Sequence, residues 1–431
     1  MRIVLCALSW LVSSALVSAD DPAAPVPPVH QGPNAPVPAR VLTNGPDGYE
    51  LAAYVDCGPS RMAIGEGGSL RQLRGESFVW PAARVYESLG TVAFDDSEVV
   101  YEVAGLHAQD EYVLGFTWWD FDRNGRVQSV RFGTGEPDAW ATVLPAAPTQ
   151  AWYMDKPTWC QLYLPIPEQY LKPGHFQVSF HREGPANAVV SEVWLLRKPS
   201  AQAKPTIDPR DLRRVVIITG DDYPGHLWRL TAPELASILR ADPRLEVTIQ
   251  ESPYMLASPL MAHYDAAVIH YMNWKPRPDP GEAVQKGLDQ YVQSGKGLVF
   301  VHFACGAFQQ WKGFVKVAGR VWDPNLPPHD PYGPFEVQVT DRDHPITAKM
   351  EPFKTTDELY TCLVGDTPIR VLLEATSAKD HKNHPMGFVH EAGKGRVFHS
   401  PLGHDLAALR APGARELYRR AAAWVTGLEP K

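Results

Sequence analysis

Long hydrophobic runs are scarce in this sequence. Apart from residues 3–17, no stretch comes near the ~20 apolar residues that a membrane-spanning helix needs, which argues against a membrane span. Basic runs are missing too. The net charge is -8 with no cluster of Lys and Arg to offset it, which speaks against nucleic acid or an anionic membrane surface as partner. The spacings H-E-x-x-H and C-x-x-C do not occur, so a metal could be held only by residues scattered along the chain. No internal repeat is evident.

What is present begins with a leader. Arg2, the apolar run at 3–17 and the small residues Ser18 and Ala19 have the layout of a signal peptide cut after Ala19, which implies an exported protein, periplasmic or extracellular. Disulfides persist in such compartments, and Cys57 with Cys160 is the candidate bridge. At 431 residues and 44% hydrophobic content, the chain can fill the cores of two domains or more.

Two breaks divide it. Residues 20–40 are rich in proline and read as an extended spacer, and 199–211 read as a second linker. Between them, residues 41–198 carry short alternating segments such as "SEVVYEVAG" and "HFQVSFHRE" with regular turns, the signature of an all-β sandwich. From 212 to 431 apolar strands ("RRVVIITG", "YDAAVIHY", "GLVFVHF") alternate with helical stretches ("TAPELASILRA", "GEAVQKGLDQYVQSG"). This predicts an α/β domain with a doubly wound, mostly parallel sheet.

In such a sheet ligands gather beyond the carboxyl ends of the strands. Those ends carry Asp221, Asp222 and His226; His270, Asn273 and Trp274; His302; and His399, His404 and Asp405, with His329 and the pair Asp357–Glu358 between them. Adjacent carboxylates on an extended segment point to opposite faces, so only one of Asp357 and Glu358 can enter a shared site unless a bulge turns the other.

The ordered motifs "GHLWR", "SGKGLVFVH", "DRDHPIT", "TTDELY", His384–Pro385 and "GKGRVFHSPLGH" resemble the ThuA-like (trehalose utilisation) family, whose fold is similar to the class I glutamine amidotransferases. The resemblance covers about 212–430. It implies that His226, His302, His329, Asp357, Glu358, Tyr360 and His404 line a pocket, and it implies sugar catabolism, especially of 3-keto derivatives of disaccharides. The sequence departs from the family pattern at "FACGAF" after His302, at Phe388 and at His399.

A glutaminase elbow puts cysteine at the turn as G-x-C-x-G. Here the turn position holds His302, and Cys305 reads as a packed thiol. The expected chemistry is acid–base work on a sugar by Asp357 or Glu358 with His302 or His404, while His226, Trp228, Trp274, His329 and Tyr360 bind substrate. A divalent metal such as zinc, if held, would take His226, His302, His404 and Asp357. In the front domain, Asp120, Asp122, Asn124 and Gly125 match half a calcium loop, but a hairpin with an Asn-Gly turn is the favoured reading. That domain loosely resembles malectin-like and galactose-binding-like sandwiches, which implies a carbohydrate-binding module or a spacer. The whole reads as an exported carbohydrate-active enzyme acting on a disaccharide or 3-keto-glycoside. The alternative is a non-catalytic carbohydrate-binding protein.

Overall fold

The computed structural model describes residues 37–57, 61–62, 68–80, 89–136, 139–200, 207–208 and 210–431. The expected signal peptide, nearly all of the proline-rich spacer and the middle of the second linker lie outside these residues. Among the described residues no helix is long and apolar enough to cross a membrane.

The front region is antiparallel throughout. One five-stranded sheet contains Glu111–Trp118, Cys160–Pro165, Glu192–Lys198 and Glu50–Asp56, and a second contains Glu98–Ala104, His175–Arg182, Val127–Gly133 and Trp140–Pro148. Alternation along the strands explains the layering: Phe176, Val178 and Phe180 point inward while His175 is exposed and Gln177 and His181 half-buried on the other face. The sheets face one another through Phe116 and Phe180, whose ring centroids are 5.1 Å apart edge to face.

The expected hairpin at Asn124–Gly125 does not form, because the flanking strands Glu111–Trp118 and Val127–Gly133 belong to different sheets. The loop crosses between layers instead. Asp120 accepts from the backbone N–H groups of Asn124 (3.1 Å) and Gly125 (2.8 Å), and the Arg126 guanidinium lies between Asp120 and Asp122. A cation is thus already supplied to the acid pair by the chain itself.

The back region centres on one nine-stranded mixed sheet. Its strands are β1 (Arg213–Ile218), β2 (Leu245–Gln250), β3 (Ala266–Ile269), β4 (Gly297–Val301), β5 (Gly333–Val339), β6 (Phe353–Asp357), β7 (Arg370–Thr376), β8 (Asn383–Ala392) and β9 (Gly395–Ser400). The order is β2-β1-β3-β4-β9-β8-β7-β5-β6. Pairs from β2 to β9 are parallel and those from β9 to β6 antiparallel. The expectation of a mostly parallel sheet is therefore corrected to a half-parallel one. The physical reason is loop length: β8 and β9 are joined by Gly393 and Lys394 alone, which closes a hairpin but cannot carry the crossover a parallel pair requires.

Within the parallel half both faces are covered. Val215 and Ile217 of β1 face helices α1 (Trp228–Arg240) and α3 (Pro412–Val425), while Val216 and Ile218 face the side that carries α2 (Glu282–Gln293). The second of these clusters continues into the front sheets through Leu162, Ala147 and Cys160, so the two regions share a core. Cys160 forms no disulfide; its thiol donates to the backbone carbonyl of Glu251 at 3.1 Å, which corrects the expected Cys57–Cys160 bridge.

Candidate active site at the carboxyl ends of the parallel strands

Three histidines converge from three strand ends. β4 stops at Val301, and His302 begins a tight turn at φ 51°, a left-handed backbone conformation that costs a non-glycine residue roughly 1–3 kcal/mol. Its neighbour β9 ends in register beside it, Val301 opposite Ser400, and the following loop brings His404 round. The loop after β1 supplies His226. The ring centroids of His226 lie 4.5 Å from His302 and 4.8 Å from His404.

Each ring is held from behind. His302 Nδ1 donates to the carbonyl oxygen of Pro401 at 2.8 Å, and His226 Nδ1 to Asp222 Oδ1 at 2.9 Å. Their Nε2 atoms are 3.1 Å apart. Glu358 closes the cluster from the far side of the sheet: its Oε2 is 3.4 Å from His404 Nδ1 and 3.7 Å from His302 Nε2, and its Oε1 is 3.5 Å from His329 Nε2. Tyr360 completes the wall, its hydroxyl 3.5 Å from His302 Nε2 and its ring stacked on His329.

The electrostatics follow from this crowding. Burial, with His226 and His404 adding to it, pushes His302 well below the usual imidazole range. Burial opposes ionisation of Glu358, but the facing His404, His329 and His226 hold it below the usual carboxylate range. Burial likewise opposes charge on His404, yet Glu358 and then Asp357 and Asp405 raise it.

The two adjacent carboxylates part company. Asp357 is fully buried and turns away from the cluster, accepting N–H bonds from Gly403 (2.7 Å), Glu358 (2.8 Å) and His404 (3.3 Å). Burial pushes its carboxyl up to about 7 against the pull of those donors. Its place is behind the His404 loop, and Glu358 takes the position expected of it among metal-ligating candidates: His226, His302, Glu358 and His404 offer ligand atoms that all lie within 4.8 Å of one another.

Trp228 was expected to stack on substrate, but the structure does not place it in the pocket. It is 2% exposed at the interface with the front region, its indole N–H donating to the Trp152 carbonyl and its face covered by Arg229 at 4.4 Å. Trp274 does stay near the site, half-buried at the rim, edge to face with Tyr223 at 4.8 Å; Tyr223 in turn abuts His226 at 5.3 Å. Cys305 sits in a small apolar cluster with Met272, Phe303, Tyr360 and Cys362, and burial drives its thiol well up, as fits a packed side chain. His270 is spoken for by Thr219 and Thr231. Tyr332, which no sequence motif marks, is 43% exposed, donates to Asp405 at 2.8 Å and lies against His404 at 5.3 Å. An aromatic between proline and glycine three residues past His329 was its only trace in the sequence.

Residues 214–425 match the family model ThuA, described as trehalose utilisation. The back region is a ThuA-family domain. Solved structures similar to part of this chain include a ThuA-like protein of Parabacteroides merdae (23% identity over 51% of this chain and 92% of that one, TM-score 0.45). Another ThuA-like protein, from Bacteroides uniformis, shares 18% identity over 53% of this chain and 99% of its own (TM-score 0.40). A glutamine amidotransferase of Thermotoga maritima shares 14% over 44% and 74% (TM-score 0.29). No curated protein matches the sequence. The elbow position of the ThuA domain holds an imidazole, and the nearby thiol at Cys305 faces apolar neighbours, so the site is equipped for proton transfer or cation binding and not for thiolate attack.

Proposed function

We propose that this protein is an exported hydrolase of a disaccharide or 3-keto-glycoside, working at the cluster centred on Glu358. The observation that carries the reading is the placement of one carboxylate between the imidazoles of His329 and His404 and next to that of His302, at the carboxyl ends of the strands. The family description of sugar utilisation supports the substrate class. In this reading Glu358 takes a proton from water through Oε2. The water oxygen bonds to the sugar carbon as the carbon–oxygen bond to the leaving group breaks, and His329, on the other carboxylate oxygen, returns a proton to the departing oxygen. Trp274, Tyr223 and Tyr332 form an aromatic rim suited to sugar rings, in place of Trp228. The front sandwich serves as support for the domain through their shared core.

The test is a turnover assay of the purified protein on disaccharides and their 3-keto forms, with Glu358→Gln. Loss of general-base help should lower kcat by ~10²–10⁴-fold while leaving the fold intact. Equal rates for the variant and the parent would remove Glu358 from the mechanism. Saturable sugar binding without turnover would favour a non-catalytic carbohydrate-binding protein.

A further inference from the structure

Carbonyl and carboxylate oxygens only accept, and this fixes the tautomers of two site histidines. Pro401 O takes the Nδ1 proton of His302, and Asp222 takes that of His226. Both neutral rings then present an Nε2 lone pair, and these two lone pairs face each other across 3.1 Å in a buried place. Two acceptors at that distance repel unless a positive centre lies between or beside them. His404 adds a third: its Nδ1 is buried, makes no well-directed hydrogen bond, and faces Glu358 Oε2 at 3.4 Å.

We propose that His226 Nε2, His302 Nε2 and His404 Nδ1 are the ligands of one zinc-class divalent cation, with Glu358 beside the water it holds. At metal–nitrogen distances of 2.0–2.1 Å, tetrahedral ligand atoms stand ~3.3 Å apart. His226 Nε2 and His302 Nε2 stand 3.1 Å apart, close to that value, and the ligand atoms of His226, His302, His404 and Glu358 all lie within 4.8 Å of one another. Three neutral imidazoles with one further position open is the donor set of a catalytic zinc-type site. The hydrogen bonds from His302 to Pro401 and from His226 to Asp222 are the outer-shell contacts such ligands use to fix ring orientation. Bound there, the cation would lower the pKa of its water and Glu358 would take the proton released; the hydroxide oxygen would bond to the sugar carbon as the carbon's bond to the leaving oxygen breaks, and His329 would supply that oxygen's proton.

This inference rests on the cluster being the reacting centre proposed above, but its test reads metal directly. The full chain, stripped with a strong chelator, is titrated with Zn²⁺ by calorimetry and separately loaded with Co²⁺ for its visible spectrum. One Zn²⁺ per chain is expected. His226→Ala and His302→Ala should each weaken it by roughly 100-fold or more, and Asp222→Asn, which keeps the ligand and its shape, by ~10–100-fold. His384→Ala, outside the cluster, should change nothing. The Co²⁺ protein should show d–d absorption that His302→Ala alters, with circular dichroism confirming that the variant is folded. Absence of saturable binding, or equal binding in every variant, overturns the proposal. Stoichiometric metal with no carbohydrate turnover would keep the metal site and remove the hydrolase reading. Full turnover by the stripped protein would do the reverse.

Discussion

His399 shows how one residue couples burial to pH. Its ring is fully buried against Phe388, its Nδ1 donates to the Ala318 carbonyl at 2.8 Å, and burial depresses its pKa from the usual 6.5 to about 4. The folded state therefore resists protonation that the unfolded chain accepts. Stability from keeping this ring neutral is fully present above about pH 6.5 and is lost as the pH falls toward about 4, at ~1.4 kcal/mol per unit, or ~3 kcal/mol in all. His399→Phe should cost about 1 kcal/mol at pH 7.5 by leaving Ala318 O unpaired. It should lose less stability than the parent on going to pH 4.5. Urea unfolding at the two pH values checks this, and parallel losses in the two proteins would discount it. His226, His302 and His404 could be picked out because strand ends are readable from apolar periodicity. The division of labour between Asp357 and Glu358 was readable only as an either-or, since it depends on where the Gly403–His404 backbone lies. Trp228 could not be placed, because the surface that buries it belongs to the front region.

At the level of elements, the loop after β9 is what fixes His404. Gly403 has φ 115°, a conformation L side chains rarely adopt, and its N–H is the shortest of the three bonds to Asp357. A Cβ there would also stand 3.1 Å from Leu409 and 3.3 Å from Val301. Gly403→Ala should therefore destabilise by ~1–3 kcal/mol and, by shifting His404, lower kcat more than it raises KM. A normal melting curve with unchanged kcat would refute the positioning role of this turn. Helices were the most legible elements: α1 and α2 lie where the 3.6-residue period puts them, in segments whose period and length agree. The strands β5, β7 and β8 are legible as extended segments, but the crossing at Asn124–Gly125 and the order in which the later strands pair are not, because a turn signal is local whereas strand partners are chosen by contacts far along the chain.

For the whole molecule, the question is whether the sandwich and the ThuA domain are separable. Their boundary is polar and buried. Glu251, after β2, receives Arg229 at 3.0 Å, the Asn44 side-chain amide at 3.3 Å and the Gln161 backbone N–H at 3.1 Å, so its partners come from both regions. Arg229 in turn donates to the Trp159 carbonyl at 2.7 Å and lies over the Trp159 ring at 4.2 Å. Both charges are withdrawn from water, and each is tolerable only because the other is present. Glu251→Ala would leave the guanidinium buried without its counter-ion, which should cost ~3–5 kcal/mol. Because the apolar core is also continuous across this boundary, the two regions should melt together, with the calorimetric enthalpy equal to the van't Hoff enthalpy in the parent protein. The Glu251→Ala variant should unfold at lower temperature, still in one step or with the front region separating first. Two well-separated transitions in the parent would mean that the sandwich is an independent module and that the buried inter-regional ion pair does not couple it to the ThuA domain.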